Sequence, residues 1–252
     1  MNLNLKNKRV LVTGSSQGIG LEIAKCLSKE GCLVAINGRN KNKLSKAIKE
    51  VPRSFSVQGD ITSHKIAKKV IKKVLKILGG IDILVCNVGS GKSQKTGQES
   101  YMEWDEVFKK NFWSVVNMVK ESQKFLIKSK GNIVCISSIC GLEVIPGAPT
   151  TYSTAKSALN TYIKSMSNFF GKYNVRINGI APGNILFKNS VWEKKLKKSN
   201  KKTTNFLKEN VPLQKFGEAK DIADLTAYLV SNKSKFITGS IFTIDGGQTK
   251  KI

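Results

Sequence analysis

The chain has 252 residues, of which 40% are hydrophobic and 24% charged, enough to build a full globular core and too apolar for a disordered polymer. Its formal charge is +26, yet only four of its 43 basic residues are arginine, and the lysines are spread along the whole sequence. That spread, with no nucleic-acid motif, excludes a base-reading surface and leaves a charge that solubilises the chain and steers anions toward it.

No apolar run reaches the ~18 residues of a membrane span, and the N-terminal M-N-L-N-L-K-N-K-R lacks the apolar stretch of a secretory signal. The expected location is the cytoplasm, with no membrane partner. The five cysteines form no Cys-x-x-Cys pair and His64 is the single histidine, so no metal site is expected. The cysteines read as reduced packing residues, and His64 as a solvated one.

In chain order, residues 9–13 (R-V-L-V-T) predict a buried strand, followed by the glycine-rich turn G-S-S-Q-G-I-G. A helix from about Ile19 ends at Gly31. Strands at 33–37 and 54–57 alternate with helices at 41–50 and 64–78, and a fourth strand is expected at 81–86. A long helix over 99–129 follows, with Tyr101, Trp104, Phe108, Val115 and Val119 near helical period. Strands at 132–137, 175–180 and 240–244 alternate with helices at 152–170 and 219–230. This alternation predicts a single α/β domain, 1–252, in which a doubly wound parallel sheet of about seven strands carries helices on both faces. Residues 184–211 break the rhythm. They are rich in Lys and Asn and follow a strand's C-terminal end, where ligands bind in open α/β sheets, so a substrate lid is expected there. Val144, Ile145 and Trp192 point to an apolar pocket.

Two stretches carry chemistry. The turn holding Gly14, Ser16, Gln17, Gly18, Ile19 and Gly20 joins the first strand to a helix N-terminus, whose free N–H groups suit a pyrophosphate. Tyr152 and Lys156 lie four apart, one helical turn on the same face. An ammonium beside a phenol favours phenolate, and this pair is expected to bring the tyrosine toward neutral pH as a proton donor and acceptor.

These pieces, with Asp60 in G-D-I-T, Asn87-Val88-Gly89, Asn111, Ser138, Pro182-Gly183 and the closing I-D-G-G at 244–247, resemble the short-chain dehydrogenase/reductase family along nearly the whole chain. The resemblance implies an oxidoreductase that moves a hydride between a nicotinamide dinucleotide and a carbonyl or secondary alcohol. Its implied catalytic set is Asn111, Ser138, Tyr152 and Lys156. Tyr152 would protonate the carbonyl oxygen, Lys156 would lower its pKa and hold the nicotinamide ribose, Ser138 would orient the carbonyl, and Asn111 would position a water behind Lys156. Besides the turn residues, Tyr152 and Lys156, the implied cofactor contacts are Arg39, Asp60, Ile61, Asn87, Gly89, Pro182, Gly183 and Ile185. Asp60 would meet the adenine amine and Asn87 the adenine ribose.

Members that prefer NAD place an acid at the end of the second strand. Here Asn37-Gly38-Arg39 stands there, so NADP (NADPH) is expected over NAD, with Arg39 on the 2′-phosphate. The family's Asn-Asn-Ala-Gly is here Cys86-Asn87-Val88-Gly89. Its threonine four residues beyond Gly183 is here Phe187, which cannot bond the nicotinamide carboxamide. The pattern is nearest to 3-oxoacyl-(acyl-carrier-protein) reductases, whose substrate rides on an acidic carrier protein. A sugar or polyol oxidoreductase is the alternative, and a non-catalytic dinucleotide-binding sensor is a third reading. The resemblance also implies a homotetramer.

Overall fold

The computed structural model describes residues 2–250. Strands β1 (Arg9–Val12), β2 (Leu33–Gly38), β3 (Ser54–Gln58) and β4 (Ile83–Cys86) are linked by helices α1 (Gly18–Lys29), α2 (Lys41–Glu50) and α3 (His64–Leu78). There follow α4 (Tyr101–Phe108), a π-helical turn (Lys109–Trp113) and α5 (Ser114–Ser129). Then come β5 (Asn132–Ile136), α6 (Thr150–Gly171), β6 (Arg176–Pro182) and β7 (Ile185–Leu186). The chain closes with α7 (Val191–Lys198), α8 (Asn200–Asn210), β8 (Gly217–Glu218), α9 (Ala219–Val230) and β9 (Ile241–Ile244).

The main sheet has seven strands in the order β3-β2-β1-β4-β5-β6-β9, and every pairing in it is parallel. β1 pairs with both β2 and β4, so the strand order reverses there and opens a crevice at the strands' C-terminal ends. Helices cover both faces, which is why the strands read as unbroken apolar runs. Val10, Val12, Val34, Ile36, Ile83 and Val85 point to one side, against α1, α2 and α9. Leu11, Ala35, Leu84, Ile133 and Ile177 point to the other, against α3, α5 and α6. Full burial of each valine, leucine or isoleucine among them contributes roughly 1.5–3 kcal/mol.

Local chemistry sets the helix ends. Asn40 caps α2 by accepting the Lys43 N–H at 3.0 Å. Ser100 caps α4 through Glu103 N–H at 3.2 Å, and Gly79 stops α3 in the left-handed region at φ 73°.

One element differs from the sequence expectation. The long helix is interrupted by the π turn Lys109–Trp113, whose extra residue turns Asn111 fully inward. The 184–211 segment folds as two short helices, α7 and α8. It is tied down by β7, which pairs in parallel with β8 in a separate two-stranded sheet. Elsewhere the elements shift by a residue or two, the fourth strand beginning at Ile83. His64 is exposed, with its ring nitrogen 2.8 Å from Glu121. All five cysteines are free thiols, and among the described residues no helix is long and apolar enough to cross a membrane.

Candidate active site

The turn after β1 is built around two left-handed glycines, Gly14 at φ 61° and Gly18 at φ 60°. Ser15 fastens it to the sheet: its hydroxyl donates to the Val12 carbonyl at 2.6 Å and accepts the Asn37 N–H at 3.1 Å. A Cβ on Gly20 would lie 2.4 Å from the Asn87 amide and 2.7 Å from the Gly14 carbonyl, so only glycine lets α1 start this close. Gln17, at the N-cap, places no side-chain cap on α1. The first N–H groups of that helix therefore point into the crevice ready for an anion, and the turn fits a dinucleotide pyrophosphate.

Asn87 follows β4 and is more of a strut than the sequence implies. Its side-chain amide donates to the Thr13 and Gly14 carbonyls, both at 3.1 Å, and its backbone N–H donates to the Thr13 hydroxyl at 2.9 Å. It therefore sets the shape of the glycine turn from below. Ile61 points its side chain into the core, 2% exposed, and its carbonyl accepts from the Asn117 amide at 3.1 Å. Asp60 accepts from Thr62 N–H and hydroxyl at 3.1 and 2.8 Å, and from Arg39 at 3.3 Å. Burial alone would raise this carboxyl, but the Thr62 and Arg39 hydrogen bonds outweigh it and hold its pKa below the ordinary value.

Three of the four arginines are engaged in structural contacts. Arg9 pairs with Asp82, Arg53 donates to the Gly31 carbonyl, and Arg176 donates to the Ile237 and Ser231 carbonyls. Arg39, at the end of β2, pairs with Asp60 at 3.3 Å through a side chain that stays 68% exposed. Nearby, Lys43 reaches from α2 to the Gln17 amide oxygen at 2.8 Å, adding a second cation at this corner that sequence spacing did not single out. Asn37, where a carboxylate would repel a phosphate, is buried and donates to the Val57 and Gly59 carbonyls.

Ser138, Tyr152 and Lys156 converge beyond β5. The serine pair divides its work. The Ser137 hydroxyl donates to Asn160 Oδ1 at 2.6 Å, and Asn160 in turn donates to the Gly141 carbonyl. Ser138 instead faces the Tyr152 hydroxyl, while its oxygen accepts the Cys140 N–H at 3.2 Å. A Cβ on Gly141 would lie 2.6 Å from the Lys156 backbone carbon, so this glycine lets the Ser138 turn dock on α6. Gly91 lies on the other side, its Cβ position 3.9 Å from the Tyr152 ring.

Lys156 is 3% exposed and donates to the Ile136 carbonyl at 2.8 Å. A Cβ on Gly89 would stand 3.2 Å from its ammonium and 2.9 Å from Asn111 Oδ1, so this glycine keeps open the space the two groups share. Asn111 accepts the Ser90 N–H at 2.9 Å and donates to the Ser90 and Val107 carbonyls. It clamps the 89–91 loop to the π turn. The C-terminal pieces close the floor: a Cβ on Gly183 would meet Asp245 at 2.7 Å, Pro182 pairs with Ile244, and Ile185 is buried in β7. The Phe187 ring lies on Gly18, its edge 2.7 Å from where a Cβ would be.

The proton chemistry departs from expectation. Burial pushes the Tyr152 phenol up to about 12, an effect the facing Ser138 hydroxyl only partly offsets. Burial likewise lowers Lys156 to about 8. The ammonium lies 5.8 Å from the Tyr152 ring centre and donates to a backbone carbonyl, and desolvation sets the direction of both shifts. In the chain alone Tyr152 is a protonated acid beside a weakly held lysine proton.

Residues 14–249 match the sequence model of a family described as enoyl-(acyl carrier protein) reductase. The chain is 33% identical over 247 residues to the 3-oxoacyl-(acyl-carrier-protein) reductase FabG of Staphylococcus epidermidis, covering 96% of this chain and 98% of the relative. It is 35% identical over 254 residues to the same-named protein of Chlamydia muridarum, with 98% and 99% covered. Among solved structures, the L-sorbose reductase of Gluconobacter frateurii, complexed with NADPH and L-sorbose, superposes with a TM-score of 0.92 at 26% identity over all of both chains. The parallel sheet, the uncapped glycine turn at its crevice and the match along its length make the chain an oxidoreductase of the short-chain dehydrogenase/reductase family.

Proposed function

We propose that the protein is an NADPH-dependent carbonyl reductase whose substrate is a 3-oxoacyl thioester, with Asn111, Ser138, Tyr152 and Lys156 as its working set. The observation that carries the reading is the meeting of Ser138, Tyr152 and Lys156 at the mouth of a crevice floored by the glycine turn. When bound, the dinucleotide supplies the hydride. The Ser138 hydroxyl donates to the substrate carbonyl oxygen and fixes its direction. Tyr152, held as a phenol, gives that oxygen its proton, and Lys156 supplies the next one and holds the ribose hydroxyls. Asn111 acts as a positioning residue by fixing the loop over Gly89. The turn residues Ser16, Gln17 and Ile19 would meet the pyrophosphate side, Arg39 and Lys43 the 2′-phosphate, and Asp60 the adenine side.

Several observations support the finer parts. The relatives named FabG act, by their names, on acyl-carrier-protein substrates, and a basic surface suits an acidic carrier. Exposed apolar side chains on the α4–α6 helices, Tyr101, Met102, Trp113 and Phe169, would be covered in a homotetramer. We place this assembly in the cytoplasm. A second reading, a ketosugar reductase, is favoured by the likeness to L-sorbose reductase and by 29% identity to a glucose 1-dehydrogenase of Gluconobacter oxydans. Following NADPH oxidation over ketoacyl thioesters, ketosugars and ketosteroids separates them. The thioesters are expected to give the highest kcat/KM, and a ketosugar optimum would overturn the substrate assignment.

Two further results are expected here. Arg39→Ala should lower the NADPH-to-NADH ratio of kcat/KM by roughly 10–100-fold, the range for losing one charge-assisted hydrogen bond. The change should fall on NADPH alone, and an equal loss with NADH would place Arg39 outside the 2′-phosphate site. The second concerns pH. Reduction consumes a proton, and Lys156 loses its own near pH 8. The reduction rate is therefore expected to fall as pH rises through about 8, while alcohol oxidation rises over the same interval. A flat reduction profile from pH 6 to 9 would remove Lys156 from the proton path.

A further inference from the structure

The 184–211 segment carries a groove of about 490 Å3 between α7 and α8 that no residue of the proposed catalytic set lines. Its floor is aromatic. The Trp192 and Phe206 rings stack with centres 5.3 Å apart at 27°, and Phe216 supports Trp192 at 5.4 Å. Its rim is cationic, formed by Lys195, Lys198 and Lys202, with the Lys195 ammonium 4.2 Å from the Trp192 ring centre. No carboxylate lines it. Glu193, the acid of α7, is turned toward the Asn189 N–H and Lys197. Among the described residues, Lys195, Lys198 and Lys202 make no ion pair.

An apolar floor under three cations, none of them paired with a carboxylate among the described residues, is complementary to a particular chemistry. An apolar body would cover the rings, and a single anionic head would relieve the mutual repulsion of the rim. A neutral polyol leaves both unsatisfied. The two helices are joined through Ser199 alone, which ends α7 and caps α8 by accepting the Lys202 N–H. A ligand bridging them would therefore fix their mutual angle.

We propose that the α7–α8 groove binds an amphipathic anion: an acyl or aromatic body ending in one carboxylate or phosphate monoester. None of the proposed catalytic residues lines the groove, and the proposal stands whether or not the thioester assignment does.

Isothermal titration of the full chain with octanoate, octyl phosphate and octanol tests it, each below its micelle or solubility limit and at low salt. Both anions are expected to bind one per chain, with octanol at least about tenfold weaker, a difference of about 1.4 kcal/mol. Whichever anion binds more tightly identifies the head group. Lys195→Gln/Lys198→Gln/Lys202→Gln, three exposed changes, should weaken the anions by about tenfold or more and leave octanol unchanged, with the thermal midpoint of the wild type. Equal affinity for octanol and octanoate would overturn the proposal, as would wild-type anion binding by the triple variant. A doubling of mass in solution that Trp192→Ala abolishes would show a second copy of the chain on this face instead, and would overturn it too.

Discussion

Tyr152→Phe is expected to lower kcat/KM for carbonyl reduction by about 10³-fold, inside the ~10²–10⁴-fold span that a positioned general acid contributes. The change removes one oxygen atom and little volume, so α6 should keep its seat and NADPH its affinity to within about twofold. That separation carries the test. Desolvation pushes the half-buried Tyr152 phenol up to about 12, and Ser138 is the hydroxyl that faces it. With the phenol gone, Ser138 still orients the substrate oxygen, and no side chain remains in place to protonate it. Single-turnover rates together with NADPH titration would read both quantities. Near-normal turnover would show that the proton comes from elsewhere, and lost NADPH binding would show that the substitution acts through the cofactor.

Lys156→Met should be nearly as severe by a different route. The ammonium is 3% exposed, in a space that Gly89 keeps clear beside Asn111. Removing it deletes a charged donor toward the ribose hydroxyls and the source of Tyr152's next proton. Turnover is expected to fall by about 10²–10³-fold and NADPH affinity by about tenfold, consistent with one charge-assisted hydrogen bond lost from binding. A purely structural lysine would leave NADPH affinity untouched. Stability gives an independent reading. The Lys156 pKa drops from an ordinary 10.5 to about 8 on folding, so the folded state binds fewer protons than the unfolded state between those values. Stability from this group thus rises with pH from about 8 to 10.5. The cost of burying the charge is fully present below pH 8. Denaturant titrations should show the wild type gaining on Lys156→Met across that window, and parallel curves would mean that the lysine is not desolvated.

The sheet was legible because its strands are buried on both faces. Runs such as R-V-L-V and I-L-V-C have no polar alternation to mislead, and glycine or asparagine marks the ends of the helices between them. The glycine turn and the Tyr152/Lys156 spacing were legible for a related reason: backbone geometry restricts which residues can stand there. Other features depend on long-range contacts that a local pattern does not carry. The π turn at Lys109–Trp113 adds one residue to a helix whose apolar period hardly changes, and Asn111's inward turn appears only with its Ser90 partners. Lys43 lies on α2 and meets Gln17 of the glycine turn only when α2 folds against that turn. The phenol's pKa was read from charge proximity alone, whereas desolvation is the larger influence on it and also lowers Lys156. Phe187 was legible as a departure, but its seat on Gly18 follows from the β7–β8 pairing that carries the chain back over the crevice.

The central claim is that Tyr152 protonates a carbonyl while hydride comes from NADPH bound at the glycine turn. Deuterium transfer tests it most directly: NADPH carrying deuterium at both nicotinamide C4 positions is incubated with an acetoacetyl thioester, and the carbinol carbon of the product is examined. The wild type should place deuterium on that carbon, and Tyr152→Phe, binding the same labelled cofactor, should do so about 10³-fold more slowly. Unlabelled product from the wild type, or label delivered by Tyr152→Phe at the wild-type rate, would contradict the account.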